Sequence, residues 1–163
     1  MKTLLLLRHA KSSWKDSELD DHDRPLNKRG KRDAPRMGEL LKELQLAPDY
    51  LVCSSARRAR KTAEHVIHAS SYRSESRITS ELYHADRLGL VTFVANLPDE
   101  ASRVLLVGHN PGLEELLEAL TGRCAALSTA ALAQVELAID SWRDLPQHLP
   151  GKLIKIWQPR ELD

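Results

Sequence analysis

Three uninterrupted apolar runs constrain this chain more than any other feature: "LLLL" at residues 4–7, "YLVC" at 50–53 and "VLLV" at 104–107. None alternates apolar with polar, so each reads as the heart of a short buried strand, over residues 2–7, 50–53 and 103–107. The stretches between them carry helical periodicity. Over residues 28–46, Ala34, Met37, Leu40, Leu41 and Leu44 recur at helical spacing, with Asn27 placed to cap the start and Pro35 accommodated early or at a kink. Residues 54–69 open a second helix behind a Ser pair able to cap it. Residues 86–97 read as a third, and "PGLEELLEALTG" as a fourth, with Pro111 near its start and Gly122 past its end. Strand–helix alternation of this kind predicts an α/β fold with a mainly parallel sheet in one domain spanning residues 1–163.

The remaining segments are less regular. Residues 8–27 are polar and turn-rich, and Pro25 argues against a regular helix there. Residues 77–83 fit a short strand or an extended loop. Residues 132–139 alternate like a half-buried strand, and 152–157 supply a last one. These two late strands would form an antiparallel pair or extend the sheet on one side.

Charge narrows the function classes. The chain has 24 Lys and Arg against 23 Asp and Glu, a net charge of +1. That balance argues against bulk nucleic-acid binding but leaves room for a local basic pocket. Lys2 followed by four leucines imitates a signal peptide, yet the run is too short and Arg8 and His9 end it. No membrane span is expected, and the expected location is the cytoplasm. Cys53 and Cys124 make no disulfide framework and no zinc spacing, and Cys53 reads as a small buried hydrophobe.

The apolar runs matter for chemistry because of what ends them. In open α/β sheets, ligands bind beyond the carboxyl ends of the strands. The first run ends in Arg8-His9, the second in Ser54-Ser55 leading to "ARRA", and the third in Gly108-His109. Two histidines and one or two arginines should therefore gather at one sheet edge. Guanidinium groups fork onto phosphate oxygens, and helix N-termini after Ser55 and Asn110 add positive potential there. Such a site carries enough charge to stabilise a transferring phosphoryl group, so no metal or other cofactor is expected. A neutral imidazole can itself attack phosphorus if its other nitrogen is held as N–H.

These motifs together resemble the histidine phosphatase, or phosphoglycerate mutase-like, superfamily, and within it the short SixA-type phosphohistidine phosphatases. "LLLLRHAKSSW" is similar to the family's Arg-His-Gly motif, "CSSARRARKTAE" to its Ser-x-x-x-Arg-Ala-x-x-Thr-Ala motif, and "LLVGHNPGL" to its second-histidine motif. "DRPLNKRGKRDA" is similar to the segment before the family's first helix. The resemblance implies a three-layer α/β/α sandwich and a phosphatase working through a covalent phosphohistidine. It implies that His9 is the nucleophile, that Arg8 and Arg58 bind the phosphoryl oxygens, and that His109 donates to the phosphoryl group. Arg57 and Arg60 would be surface charges, and Asn110 a helper. Ala10 stands where the family motif has Gly. The general acid of many members would be Glu81, in "TSELYHAD", whose alternative reading is a surface loop carboxylate.

Leaving-group chemistry bears on Glu81. An alkoxide leaving group needs a strong proton donor, whereas imidazole, with a conjugate-acid pKa of about 6.5, needs little help. The short loops also predict an open pocket without a lid. The expected partner is thus a phosphorylated protein carrying phosphohistidine. A small phosphate ester remains the rival substrate, with a non-catalytic phosphoprotein-binding module and a mutase as further alternatives.

Overall fold

In the computed structural model, which describes residues 1–73, 75–147 and 151–162, a six-stranded sheet divides two layers of helices. The strands are β1 (Lys2–Arg8), β2 (Tyr50–Ser54), β3 (Glu75–Thr79), β4 (Arg103–Gly108), β5 (Leu132–Leu137) and β6 (Lys152–Trp157). The main helices are α1 (Lys28–Glu43), α2 (Arg57–Ser70), α3 (Arg87–Ala95) and α4 (Gly112–Thr121). The sheet order is β3-β2-β4-β1-β5-β6. The first four are parallel, and β5 and β6 are antiparallel. The two late strands satisfy both expectations at once: they pair antiparallel and they extend the sheet beyond β1.

The leucine run shows why a buried strand need not alternate. Successive side chains on a strand point to opposite faces. Leu4 and Leu6 enter a core with Val104, Leu106 and the α3 and α4 residues Phe93, Leu113 and Leu117. Leu5 and Leu7 enter the other core, with Leu105, Val107 and the α1 and α2 residues Met37, Leu41, Ala63 and Val66. Both faces are dry, so both phases of the strand are apolar. Fully burying one such leucine is worth roughly 1.5–3 kcal/mol.

Helix α1 starts where expected, with the Asn27 side chain accepting from Gly30 N–H at 2.9 Å. Pro35 lies inside the helix, without a backbone N–H for Lys31. Leu44, expected on the core face, is instead the C-cap and 38% exposed. The α1–α2 crossing is close: a Cβ on Gly38 would lie 2.5 Å from the Val66 carbonyl oxygen. Helix α2 departs from the expected cap. Its N-cap is Ala56, with no side-chain cap hydrogen bond, because Ser54 and Ser55 are turned toward histidines. The segment 77–83 resolves into the end of β3 and a single turn at Ser80–Leu82. Residues 8–27 carry a turn at residues 17–18, a single 3-10 turn at Asp21–Asp23 and a bridge between Ser12 and Leu26. Among the described residues no helix is long and apolar enough to cross a membrane.

Candidate active site

Parallel pairing brings the strand tips together. Arg8 on β1 sits in register with Gly108 on β4, and His9 N–H donates to the Gly108 carbonyl at 3.0 Å. The next residue on β4's exit is His109, so the two imidazoles face one another with ring centroids 5.1 Å apart. β2 lies on the far side of β4 and delivers Ser54, whose Oγ is 2.7 Å from His109 Nε2.

His9 is 7% exposed, and its Nδ1 lies 2.8 Å from the Ala10 carbonyl. That oxygen can only accept, so Nδ1 carries the proton and Nε2 keeps its lone pair. Burial, reinforced by the charges of Arg58, Arg8 and Arg24 and opposed by the Ala10 hydrogen bond, lowers the ring's pKa to about 4. His9 is neutral at neutral pH. The loop that holds it is itself held: Ala10 N–H donates to Thr62 Oγ1 at 2.9 Å, while the Thr62 hydroxyl donates to the Arg58 carbonyl at 2.7 Å. Ala10 is fully buried, and it is absent from the residues with left-handed backbone, so this turn makes no demand that only glycine meets.

His109 is lowered further, to about 3, first by burial and then by the His9 ring and Arg58, with Asp21 opposing. Ser54 Oγ also accepts from Ala56 N–H at 3.3 Å, which leaves it a proton and a second lone pair for His109 Nε2. His109 Nδ1 is buried and, among the described residues, without a hydrogen-bond partner.

The arginines repeat the theme. Arg8 Nη1 donates to the Leu127 carbonyl at 3.0 Å. Arg58, 5% exposed, donates through Nη1 to the Asp21 carbonyl at 2.7 Å and through Nη2 to Asp21 Oδ2 at 3.0 Å. The Nε–H of each is buried and, among the described residues, unpartnered. Leaving a buried donor unmade costs about 1–3 kcal/mol, so unpaired N–H groups at one sheet edge mark a place for an acceptor. The donor set suits a multiply charged oxyanion. Among the described residues no group of three or more His, Cys, Asp or Glu side chains is arranged to hold a metal ion.

Several members of this network escape a reading of the sequence. Asp21 accepts from Tyr83 Oη at 2.6 Å, from Arg58, and from Arg24 Nε at 3.1 Å. Burial pushes its carboxyl up, but those hydrogen bonds and the two guanidinium charges outweigh it and hold the pKa below the usual carboxylate range. His22 Nε2 lies 2.9 Å from Ser55 Oγ, and its ring meets Tyr83 edge-on at 4.8 Å. Asn110 Nδ2 donates to the same Leu127 carbonyl that Arg8 uses, which makes Asn110 a positioning residue for that corner. Arg57 and Arg60 are half-buried and bond the carbonyls of Asp23 and Ser55, outside the cluster. Cys53 is buried, and burial pushes its thiol up to about 12, as a small core hydrophobe requires.

Glu81 is not brought into this cluster. Its carboxylate pairs with Arg77 at 3.1 Å with the side chain 61% exposed. It lines a separate cleft with Arg77, Asp86 and Phe93, to which none of Arg8, His9, Arg58 and His109 contributes. The turn at Ser80–Leu82 is the reason: Leu82 is buried in the core and Tyr83 reaches Asp21, which leaves Glu81 facing outward.

Fold and site together define an α/β protein with two histidines and two arginines gathered at the carboxyl edge of its sheet. Comparison places it more narrowly: the chain belongs to the histidine phosphatase superfamily (branch 1), whose family model matches residues 4–86. A chloroplastic protein of Arabidopsis thaliana is 32% identical over 155 residues, covering 88% of this chain and 70% of that protein. A structure from Agrobacterium tumefaciens, described as a candidate phosphohistidine phosphatase SixA, superposes with a TM-score of 0.83 at 28% identity. It covers 97% of this chain and 98% of the other. The protein histidine phosphatase SixA complexed with tungstate shares the fold, with a TM-score of 0.85 at 23% identity over 99% of both chains.

Proposed function

We propose that this protein is a metal-independent phosphatase that transfers a phosphoryl group to His9 and then to water, with protein phosphohistidine as its preferred substrate. The observation that carries the reading is the Nδ1–H of His9 bound to the Ala10 carbonyl, which leaves a neutral, unprotonated Nε2 in the field of Arg8 and Arg58, whose Nε–H groups have no partner among the described residues.

In the first step the Nε2 lone pair forms a bond to phosphorus, while the bond to the leaving group breaks with its electron pair. Arg8, Arg58 and His109 take the equatorial oxygens, whose donors are fixed beforehand and need no reorganisation. The phosphorylated His9 ring carries its Nδ1 proton and a positive charge, which the Ala10 carbonyl stabilises. In the second step water attacks phosphorus, His9 leaves as neutral imidazole, and the product is dihydrogen phosphate, which then loses a proton to solvent. Atoms and charges balance without an added acid when the leaving group is a ring already protonated on its other nitrogen. A phosphohistidine ring meets that condition; an alkyl ester does not, and Glu81 is turned away from supplying the proton. The A. tumefaciens likeness at 28% identity supports the same substrate class.

The test is a rapid quench in alkali with radiolabelled phosphohistidine, where phosphoramidates survive. Label should travel with the peptide containing His9 and vanish in His9→Ala. A substrate panel decides the class: free phosphohistidine should be turned over well above alkyl phosphates. Label appearing on no histidine, with phosphate still released, would refute the mechanism.

A further inference from the structure

The geometry points to a docking surface for an acidic segment of the partner protein, along a basic groove that runs from the nucleophile's own loop onto the first turns of α1. The proposal rests on the phosphoprotein reading above.

Lys15, Asn27, Lys28, Arg29 and Arg32 line the groove, with four cations and no carboxylate among them. Its floor is continuous with the catalytic loop. Asn27 N–H donates to the Lys11 carbonyl at 3.0 Å, Ser12 bridges Leu26, and Ser13 N–H donates to the Pro25 carbonyl at 2.8 Å. A Cβ on Gly30 would come 2.1 Å from the Lys11 oxygen, so α1 is seated directly on the segment that leaves His9.

Few carboxylates among the described residues answer the cations of this groove. A helix N-terminus favours anions, yet α1 has no acidic residue in its first turn. Asp33 alone answers two of the cations, Arg29 at 3.6 Å and Arg32 at 3.5 Å. Lys28 and Lys15 are exposed. Helix α2 likewise begins on cations, whereas α4 begins with Glu114 and Glu115. The net charge of +1 therefore conceals an uneven placement: cations line the groove and the first turns of α1 and α2, while carboxylates gather on the loop at Asp16, Glu18, Asp20, Asp21 and Asp23 and at the start of α4. Beside Lys15, Trp14 is 71% exposed and lies flat against the Arg24 guanidinium at 3.4 Å. An exposed tryptophan beside cations has the composition of an interface anchor. Complementary charge of this kind acts chiefly on encounter, and so on kcat/KM, and it is screened by salt.

The probes are synthetic phosphohistidine peptides flanked by Asp or by Asn, with phosphotyrosine peptides of the same flanks and free phosphohistidine alongside. At low salt the Asp-flanked peptide should exceed the Asn-flanked one by about tenfold in kcat/KM, through KM, and about 0.5 M salt should erase the difference. Lys15→Glu/Lys28→Glu should reduce the preference to about twofold or less, with free phosphohistidine unchanged. These positions are chosen because reversal at Lys28 suits the helix dipole, and Arg29→Gln/Arg32→Gln serves as a second variant that places no new carboxylate beside Asp33. Failure to turn over free phosphohistidine would count against the substrate reading alone, since the phosphotyrosine pair still reports the flank preference. A preference absent in the wild type, or retained in both variants, would overturn the docking surface. So would retention of a single-stranded oligonucleotide with no flank preference.

Discussion

Acidification should destabilise this protein through His9, by an amount its burial sets. The ring titrates at about 4 in the folded protein, against about 6.5 in an unfolded chain. Between those values the unfolded state binds the extra proton, so stability falls as pH falls; above about 6.5 neither state binds it and the contribution is complete. Each tenfold difference in proton affinity between the two states corresponds to about 1.4 kcal/mol, and at about pH 4.5, short of full titration, the loss works out at about 2.5 kcal/mol. The perturbation is His9→Gln, which keeps a polar side chain and removes the titration. Urea denaturation followed by tryptophan fluorescence suits the purpose, because Trp142 is fully buried. Between about pH 7 and 4.5 the wild type should lose about 2.5 kcal/mol more than the variant. His109 titrates in both proteins and cancels to first order. An NMR titration of the His9 ring would check the cause directly. Equal losses in the two proteins, or a ring titrating near its ordinary value, would refute the claim that His9 is held neutral by burial.

Other outcomes follow from the same geometry. Ser54→Ala removes the hydroxyl bonded to His109 Nε2, and kcat should fall by about 10–100-fold on every substrate; an unchanged kcat would show that this bond does not orient His109 for the reaction. Glu81→Gln breaks only an exposed pair with Arg77, so turnover of alkyl phosphates and of phosphohistidine should both stay within about twofold; a selective loss on alkyl phosphates would restore Glu81 as proton donor. Gly38→Ala drives a methyl to 2.5 Å from the Val66 carbonyl and should cost about 1–3 kcal/mol in denaturant unfolding. Gly122→Ala, at φ 73° in open space, should cost about 1 kcal/mol through backbone strain alone.

The elements legible in the sequence are those whose determinants are local. Asn27 caps α1 and Gly122 ends α4 because capping and left-handed conformation depend on one residue and its near neighbours. The apolar runs read as buried strands because their length and flanks exclude other choices. Ser54 and Ser55 show the limit: their sequence position suits a helix cap, but His109 and His22, from distant segments, take their hydroxyls. Asp21 and Tyr83 lie 62 residues apart and meet at 2.6 Å, a contact no local pattern encodes. Glu81 and Tyr83 share one short turn, and which of them faces inward depends on how Leu82 enters the core.

By itself, then, the order of residues determined that β1, β2 and β4 would be buried strands, with Arg8 and His9 at the tip of β1, His109 just past β4 and Arg58 at the start of the helix after β2, because strand burial and helix starts are governed by neighbours along the chain. Only the tertiary structure decided the strand order that sets His9 against His109. It also decided the hydroxyl that meets His109 and the carboxylate behind Arg58, since hydrogen bonds between remote segments exist only after the two cores have closed on the sheet.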